Sequence, residues 1–175
     1  MSDAGFGMTD RFDPHVMQTF MRQPALYWPV RDALSVPPEQ MNFVEHMMEP
    51  SVWTLAGTLG GHIIGYVQFT ARTSVMSEIT VGFHPQCRGR IAKALTAHAI
   101  GLLFRDHGVL KIIACVPADN RAARWGACAL GFKEEARLRN AIVRPVTVHY
   151  TTPLRDIIIF SLTRSIPSNR STTHG

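Results

Sequence analysis

The stretch EITVGFHPQCRGRIAKAL, residues 78–95, decides the fold of this chain. Its first letters predict a strand over Glu78–His84 that stops at Pro85, and the apolar spacing that follows predicts a helix over Ile91–Asp106. A glycine-containing loop between a strand and a helix gathers unpaired backbone N–H groups and the positive end of the helix dipole at one point. Such a loop favours an anionic ligand. Taken alone, the same residues would also fit an ordinary turn with solvated arginines.

The segments on either side predict a mixed α/β arrangement. Upstream, the pattern changes to a period of two and predicts an antiparallel hairpin with its turn at residues 59–61. Downstream, helix and strand signals alternate, and the strand over Val109–Val116 is apolar enough to predict burial on both faces. The other predicted elements are strands over Val52–Gly57 and His62–Thr70, a helix over Asn120–Leu130 closed by Gly131, a strand from Phe132 and a last strand over Asp156–Thr163.

The first fifty residues hold seven of the eight methionines and predict short helices separated by prolines. The clearest helix begins after Ser35 and ends before Pro50. Its apolar face, which we interpret as a core stripe, consists of Met41, Val44, Met47 and Met48. We expect one domain over residues 1–165, with a variable helical part at 1–50 and a core at 51–165, followed by a polar tail at 166–175.

Composition narrows the class of protein. With 175 residues and 46% hydrophobic content, the chain suits one domain with a real core. Its net charge of +5 favours an anionic partner, but no basic run with interleaved aromatic residues indicates nucleic acid binding. The three cysteines, Cys87, Cys115 and Cys128, lack metal-ligand spacing, so no metal site is predicted. Without a signal-like start or an apolar run of membrane-span length, a soluble cytoplasmic protein is expected.

Three segments together resemble the GNAT acyltransferase superfamily. Residues 78–90, EITVGFHPQCRGR, are similar to its strand and pyrophosphate loop, commonly written P-x-x-R-G-x-G. Asn120 with Ala122 and Ala123, followed by LGF at 130–132, is similar to its N-x-x-(A/S)…L-G-F segment. KEEARLRNAIV at 133–143 and RDIIIFSLTR at 155–164 resemble the closing strands of the branch that acetylates protein N-termini, including ribosomal-protein alanine acetyltransferases. All three segments occur together and in the order found in the family, which makes the resemblance specific.

The resemblance implies a GNAT fold of the α/β (α+β) class. Its sheet of six or seven strands would be mixed, mostly antiparallel and twisted, flanked by helices, and splayed between the Glu78–His84 and Val109–Val116 strands. It also implies an N-acetyltransferase that binds acetyl-CoA, or coenzyme A as product. The acceptor would be a primary amine, on a protein N-terminus or a small molecule, that attacks directly in a ternary complex.

The resemblance further implies the roles of particular residues. Glu78 would be the general base, although a glutamate at a strand end also commonly pairs with an arginine. Independently of the resemblance, a glycine within a strand indicates a bulge or the close approach of another backbone, and Gly82 is such a glycine. Asn120 would face the pantetheine arm, cap its helix, or do both. The pyrophosphate would bind Arg88, Gly89, Arg90, Ile91 and Ala92, and the pantetheine arm would bind the backbone of Val81, Gly82, Phe83 and His84.

The chain departs from the family pattern at two places. The loop is one residue shorter, with Arg90 in place of the second glycine, and Ala127 stands where many members carry a tyrosine acid. A second hypothesis is therefore a GNAT-fold protein that has lost catalysis and serves in a larger assembly, such as a viral particle, or as a homo-oligomer. Trp125 is interpreted as a packing residue and Cys128 as a small core residue.

Overall fold

A computed structural model describes residues 5–23, 43–143 and 154–164 of the chain. A seven-stranded sheet organises these residues. The strands are β1 Phe6–Thr9, β2 Val52–Leu59, β3 His62–Ala71, β4 Met76–Phe83, β5 Lys111–Pro117, β6 Lys133–Val143 and β7 Leu154–Thr163. Their order in the sheet is β1-β2-β3-β4-β5-β7-β6. β4 and β5 pair in parallel and the other neighbours pair antiparallel, so the sheet is mixed and mostly antiparallel as predicted.

Helices cover both faces of this sheet. The longest carries buried Leu95, Ala99 and Leu103 at helical spacing, and these pack on the face of the sheet that holds Phe69 and Ile112. The first two helices lie over the opposite face, at β2 and β3. The helices are α1 Pro14–Met21, α2 Phe43–Met47, α3 Arg90–Asp106 and α4 Arg121–Ala129. Across the described residues, no helix combines the length and apolar character that crossing a membrane requires.

The N-terminal part differs from the sequence expectation. β1, which pairs with β2 at the edge of the sheet, was not predicted, because its four residues are too few to show a period. The predicted helix up to Pro50 is present in the described residues as α2, and its earlier residues, including Met41, lie outside them. Met47 is buried, but Met48 is 69% exposed, so it does not belong to the core stripe.

β4 and β5 separate along their length. Their pairing runs from Met76↔Lys111 to Glu78↔Ile113 and stops there, whereas both strands continue, β4 to Phe83 and β5 to Pro117. The predicted splay between these strands is confirmed. Alternation of buried and half-buried residues along β5 also shows that it is not fully buried on both faces.

Gly82 has a different role from the one expected. The β3–β4 register passes through Tyr66↔Gly82 without a shift, so no bulge occurs there. A Cβ atom at Gly82 would lie 2.4 Å from Tyr66 Cε1, so the close neighbour is a side chain and not another backbone. Tyr66 itself is fully buried against α1 and α2.

Gly65 makes a testable contribution to the core beneath the split. A Cβ atom at Gly65 would lie 2.1 Å from Cδ1 of buried Phe83. We expect Gly65→Ala to lower the free energy of unfolding by about 1–3 kcal/mol, the usual cost of overpacking. Gly101→Ala is the matched control, because Gly101 lies within α3 with no atom near its missing side chain, and alanine there should raise stability by up to ~1 kcal/mol. Urea unfolding checks both, and equal stability of Gly65→Ala and the native chain would contradict the packing argument.

Candidate active site

A cavity of about 640 Å³ occupies the split between β4 and β5. Its wall is mostly apolar, and most of the predicted site residues contribute to it. These are Glu78, Val81, Gly82, Phe83, Arg88, Gly89, Ala92 and Asn120. His84, Arg90 and Ile91 lie outside the wall, and Arg90 is exposed, so the arginine that replaces the second glycine does not fill the cavity.

The cavity passes through the sheet. Side chains alternate along a strand, and Ile79 and Phe83 belong to the core under α3, so Glu78 and Gly82 face the opposite side. The same alternation on β5 places Ala114 under α3 and α4 and Cys115 on the opposite side. These four residues of β4 and two residues of β5 all line the cavity, although they face opposite sides of the sheet. The cavity therefore connects the two faces. A ligand held under α3 and α4 can therefore meet a second ligand that arrives from the other face.

The backbone of β4 divides its hydrogen bonds between two neighbours. The His84 N–H donates to Ile64 O at 2.8 Å, so the peptide groups of His84 and, by alternation, of Gly82 point toward β3. The peptide groups of Val81 and Phe83 then point toward β5, beyond the place where pairing with β5 has ended. Within the predicted set of residues 81–84, Val81 and Phe83 are therefore the ones whose backbone faces the split.

The loop after β4 opens α3 at the edge of the cavity. Gly89 is the N-cap, with φ 82° and ψ −124°, a conformation that side chains rarely adopt. A glycine cap offers no side-chain acceptor, and the first helical bond in this turn is Lys93 N–H to Gly89 O at 2.9 Å. The Arg88 side chain folds back, and its Nε donates to Phe83 O at 3.3 Å. Gly89, Ala92 and Lys93 line the cavity, so the positive end of this 17-residue helix lies at its edge.

Glu78 sits between an arginine and a cysteine at the point where the strands part. Arg72 donates to Glu78 Oε2 through Nε at 2.9 Å and through its terminal amine at 2.5 Å. The alternative expectation, that Glu78 pairs with an arginine, therefore holds in the structure. Cys115 hydrogen-bonds to Glu78 from across the split, and burial together with the Glu78 charge raises the pKa of Cys115 to about 11. Cys115 is consequently a neutral thiol at neutral pH.

The start of α4 forms another part of the wall. Asn120 caps this helix, since its Oδ1 accepts the Ala123 N–H at 3.1 Å, so the capping role is present and its side chain also lines the cavity. Ala127, at the position of the family's tyrosine, is buried in the wall. Trp125 is not a packing residue as interpreted from the sequence, because it is 70% exposed at the cavity rim. Cys128 is exposed rather than part of the core.

Comparison with known proteins places this arrangement in a family. The sequence profile described as the acetyltransferase (GNAT) family matches residues 17–132, about two thirds of the chain. The chain belongs to the GNAT acetyltransferase family. No match to this GNAT chain was found among curated protein sequences.

Solved structures share the GNAT fold at low sequence identity. A ribosomal-protein alanine N-acetyltransferase from Escherichia coli has a TM-score of 0.71 at 17% identity, over 95% of this chain and 98% of that one. Spermidine N-acetyltransferase from Vibrio cholerae, in complex with CoA and spermine, has a TM-score of 0.68 at 15% identity, over 91% and 94%. An acetyltransferase from Salmonella typhimurium with its cofactor acetyl-CoA has a TM-score of 0.65 at 17% identity, over 90% and 94%. At these identities the likeness shows the fold.

Several wall residues of this GNAT domain were missed by the sequence analysis. Lys93 and Thr96 follow Gly89 and Ala92 at helical spacing, a signal that the sequence does contain. Arg121 and Trp125 are four residues apart on α4 and share a face in the same way. Cys115 and Ile157 could be found only from the strand register, because they come from distant parts of the chain.

The Glu78–Cys115 contact predicts how the thiol reacts. Because thiolate is the reactive form and the pKa of Cys115 is raised to about 11, alkylation of Cys115 should stay slow through pH 8 and accelerate only toward pH 11. Glu78→Gln removes the negative charge that contributes to this rise, so the midpoint of the rate against pH should move down toward the ordinary thiol value of 9.0. Mass spectrometry of the Cys115 peptide gives the rate, and exposed Cys128 is the internal reference.

Glu49→Gln is the matched control for that experiment, since Glu49 lies on the exposed turn after α2. It should leave the Cys115 midpoint where it is in the native chain. Two results would contradict the Glu78–Cys115 contact. One is an alkylation midpoint for Cys115 near pH 9 in the native chain, and the other is the same midpoint in Glu78→Gln as in the native chain.

Proposed function

We propose that the chain is an acetyl-CoA-dependent N-acetyltransferase that moves an acetyl group to a primary amine. The acceptor, on a protein N-terminus or a small molecule, attacks directly in a ternary complex, with Glu78 as the base. The single observation that carries this proposal is the cavity that crosses the sheet where β4 leaves β5, with Glu78 at one wall and the start of α3 at another. Membership of the GNAT family supplies the reaction class.

The residues at the split fit coenzyme A in two respects. The first amides of α3 and the open space at Gly89 suit a diphosphate, because helix N-termini stabilise anions and a glycine lets them approach closely. Lys93 and Arg121 add positive charge at the same end of the cavity. The backbone of Val81 and Phe83 suits an extended arm that takes the place of the missing neighbouring strand.

The chain's own groups would then act on the two substrates. When bound, acetyl-CoA supplies an activated acetyl thioester. A backbone N–H of Val81 or Phe83 would stabilise the negative charge that develops on the acetyl oxygen. Glu78, on the other face, accepts a proton from the incoming ammonium, directly or through water. No side chain at Ala127 need donate a proton, because a thiol is acidic enough to depart as thiolate.

The alternative, a GNAT-fold component of an assembly that no longer catalyses, is less well supported. The features that motivated it are the short loop with Arg90 and the missing tyrosine at Ala127. Arg90 lies outside the cavity wall, and the cavity between the strands is open. Isothermal titration of the chain with CoA separates the two ideas, because absence of binding at millimolar CoA would favour the assembly role.

Gly89 should control CoA affinity through its backbone. Gly89→Ala introduces a side chain at φ 82°, which strains the cap by about 1–2 kcal/mol and shifts the amides that would hold the diphosphate. We expect the Kd for CoA to rise by roughly tenfold, which corresponds to about 1.4 kcal/mol. Gly101→Ala makes the same replacement later in α3 and should leave the Kd unchanged. An unchanged Kd for Gly89→Ala would contradict the proposed binding of the diphosphate at the start of α3.

Glu78 should matter for transfer and not for CoA binding. Removing a general base commonly costs about 10²–10⁴-fold in rate. We therefore expect Glu78→Gln to lower kcat/KM for the amine by at least ~10²-fold while the Kd for CoA stays the same. Loss of the partly exposed ion pair with Arg72 should cost little stability, and thermal unfolding verifies this. Full activity in Glu78→Gln would contradict the role of Glu78 as the base, and its ion pair with Arg72 would be its remaining contact in the site.

A further inference from the structure

The Tyr66 hydroxyl is a buried polar group without a hydrogen-bond partner. Tyr66 has no exposed surface, and among the residues that the structure describes nothing hydrogen-bonds to its Oη. Burial raises the pKa of Tyr66 well above its ordinary value, so the group is a neutral phenol that can donate or accept a hydrogen bond. Buried polar atoms in folded proteins are nearly always paired, so an unpaired one needs an explanation, and a role in catalysis is one.

The surroundings of the Tyr66 ring offer no partner. The side chains packed around it come from α1, α2 and β2, and they carry no hydroxyl, amide or charged group. They are Met17, Phe20, Met21, Met47 and Ala56. A phenylalanine would fill the same space without burying a polar atom, so packing alone does not account for a tyrosine here.

The hydroxyl lies where a side chain of Gly82 would be. A Cβ atom at Gly82 would lie 2.8 Å from Tyr66 Cζ and 3.0 Å from its Oη. Gly82 shares the face opposite α3 with Glu78 and Thr80, and all three residues line the cavity. The Tyr66 hydroxyl is therefore a polar group beside the cavity wall, on the face from which the acceptor would arrive.

This inference rests on the proposed function, which puts the acetyl oxygen at the N–H of Val81 or Phe83. Gly82 lies between these two residues in the strand, so an amine that attacks from the opposite face approaches Gly82. Glu78 lies four residues earlier, roughly 13 Å along the strand, and would receive the proton through water. A nearer group is then needed to hold the nitrogen itself.

We propose that the Tyr66 oxygen accepts a hydrogen bond from the nitrogen of the acceptor amine beside Gly82. The contact gives the hydroxyl a partner when an amine is bound, and it helps to direct the nitrogen lone pair toward the acetyl carbon. In the transfer, the nitrogen–carbon bond forms and the carbon–sulfur bond breaks. The ammonium gives up two protons, of which Glu78 takes the first and the departing thiolate takes the second. Tyr66 keeps its own proton throughout.

The layer over Tyr66 is suited to admit a ligand. Three of the side chains that cover the ring are methionines of α1 and α2, namely Met17, Met21 and Met47. Methionine is unbranched and repacks at low cost, so this layer can yield to a small amine beside Gly82 while the helices stay folded.

Tyr66→Phe removes the hydroxyl and keeps the ring. Because the lost group has no partner, the variant should unfold about 2–4 °C higher than the native chain. With saturating acetyl-CoA, kcat/KM for an amine should fall by about tenfold or more, the usual worth of a hydrogen bond to a charged group. The probes are glycinamide and n-butylamine, which share only the primary amine, so both should lose the same factor. The Kd for CoA should not change.

Thr54→Val is the matched control, because it removes a buried hydroxyl that does have a partner on the same face of the sheet. Thr54 Oγ1 accepts a hydrogen bond from Gln68 Nε2 at 3.0 Å. The variant should unfold about 2–4 °C lower and leave kcat/KM for both amines unchanged. Full activity in Tyr66→Phe would overturn the proposal. A loss of stability in Tyr66→Phe would overturn it too, because the hydroxyl would then have a partner within the chain.

Failure of the proposed function gives a different result. If the native chain binds CoA but acetylates neither amine, the transferase proposal fails. Calorimetry of n-butylamine with the CoA-saturated chain then tests the Tyr66 contact by itself. Weaker binding to Tyr66→Phe than to the native chain would support the contact, and equal binding, or none to either chain, would overturn it.

Discussion

The end of the β4–β5 pairing at Glu78↔Ile113 is the constraint on which the rest of this structure depends. Backbone groups that leave a sheet need other partners, since a buried N–H or C=O without one is costly. In this chain the groups of Val81 and Phe83 face the gap, while those of Gly82 and His84 remain engaged with β3. Arg88 Nε already donates to Phe83 O, so the gap leaves the Val81 peptide groups and the Phe83 N–H facing the cavity without loosening the rest of β4.

Packing on both faces keeps β4 in place beside the gap. Phe83 lies in the space left by Gly65 under α3, and Gly82 lies over the ring of Tyr66 under α1 and α2. These glycines let large rings from an adjacent strand lie flat across the sheet, so β4 is held by side chains where it lacks a second strand. The same contacts explain why a chain that departs from the family pattern at Arg90 and Ala127 still has an open cavity. Neither departure touches these contacts.

Much of the fold followed from the sequence, because periodicity and glycine positions report local geometry. The hairpin, α3, α4 and the splay are where residues 52–132 predicted them, and the cap at Asn120 is present. Strand β1 was too short to show a pattern, and the exposure of Trp125 depends on how α4 is rotated over the sheet. The contact of Glu78 with Cys115 joins two strands that the 17-residue helix α3 separates along the chain, so only the three-dimensional register could reveal it. The roles of Glu78 and the cofactor-binding residues stay predictions.

The ion pair between Arg72 and Glu78 lies at the point where β4 and β5 part. Arg72 extends from the turn after β3, and that turn is fixed by bonds from the Arg72 and Thr73 amides to Met76 O. Its side chain approaches only Oε2 of Glu78, so the carboxylate is held in one orientation at the point where the strands part. A carboxylate held this way keeps one orientation at the gap, and it shares its charge with an arginine. The residue at which the pairing of β4 with β5 ends is thus also the residue whose carboxylate Arg72 orients, so the position of the split and the orientation of Glu78 are connected.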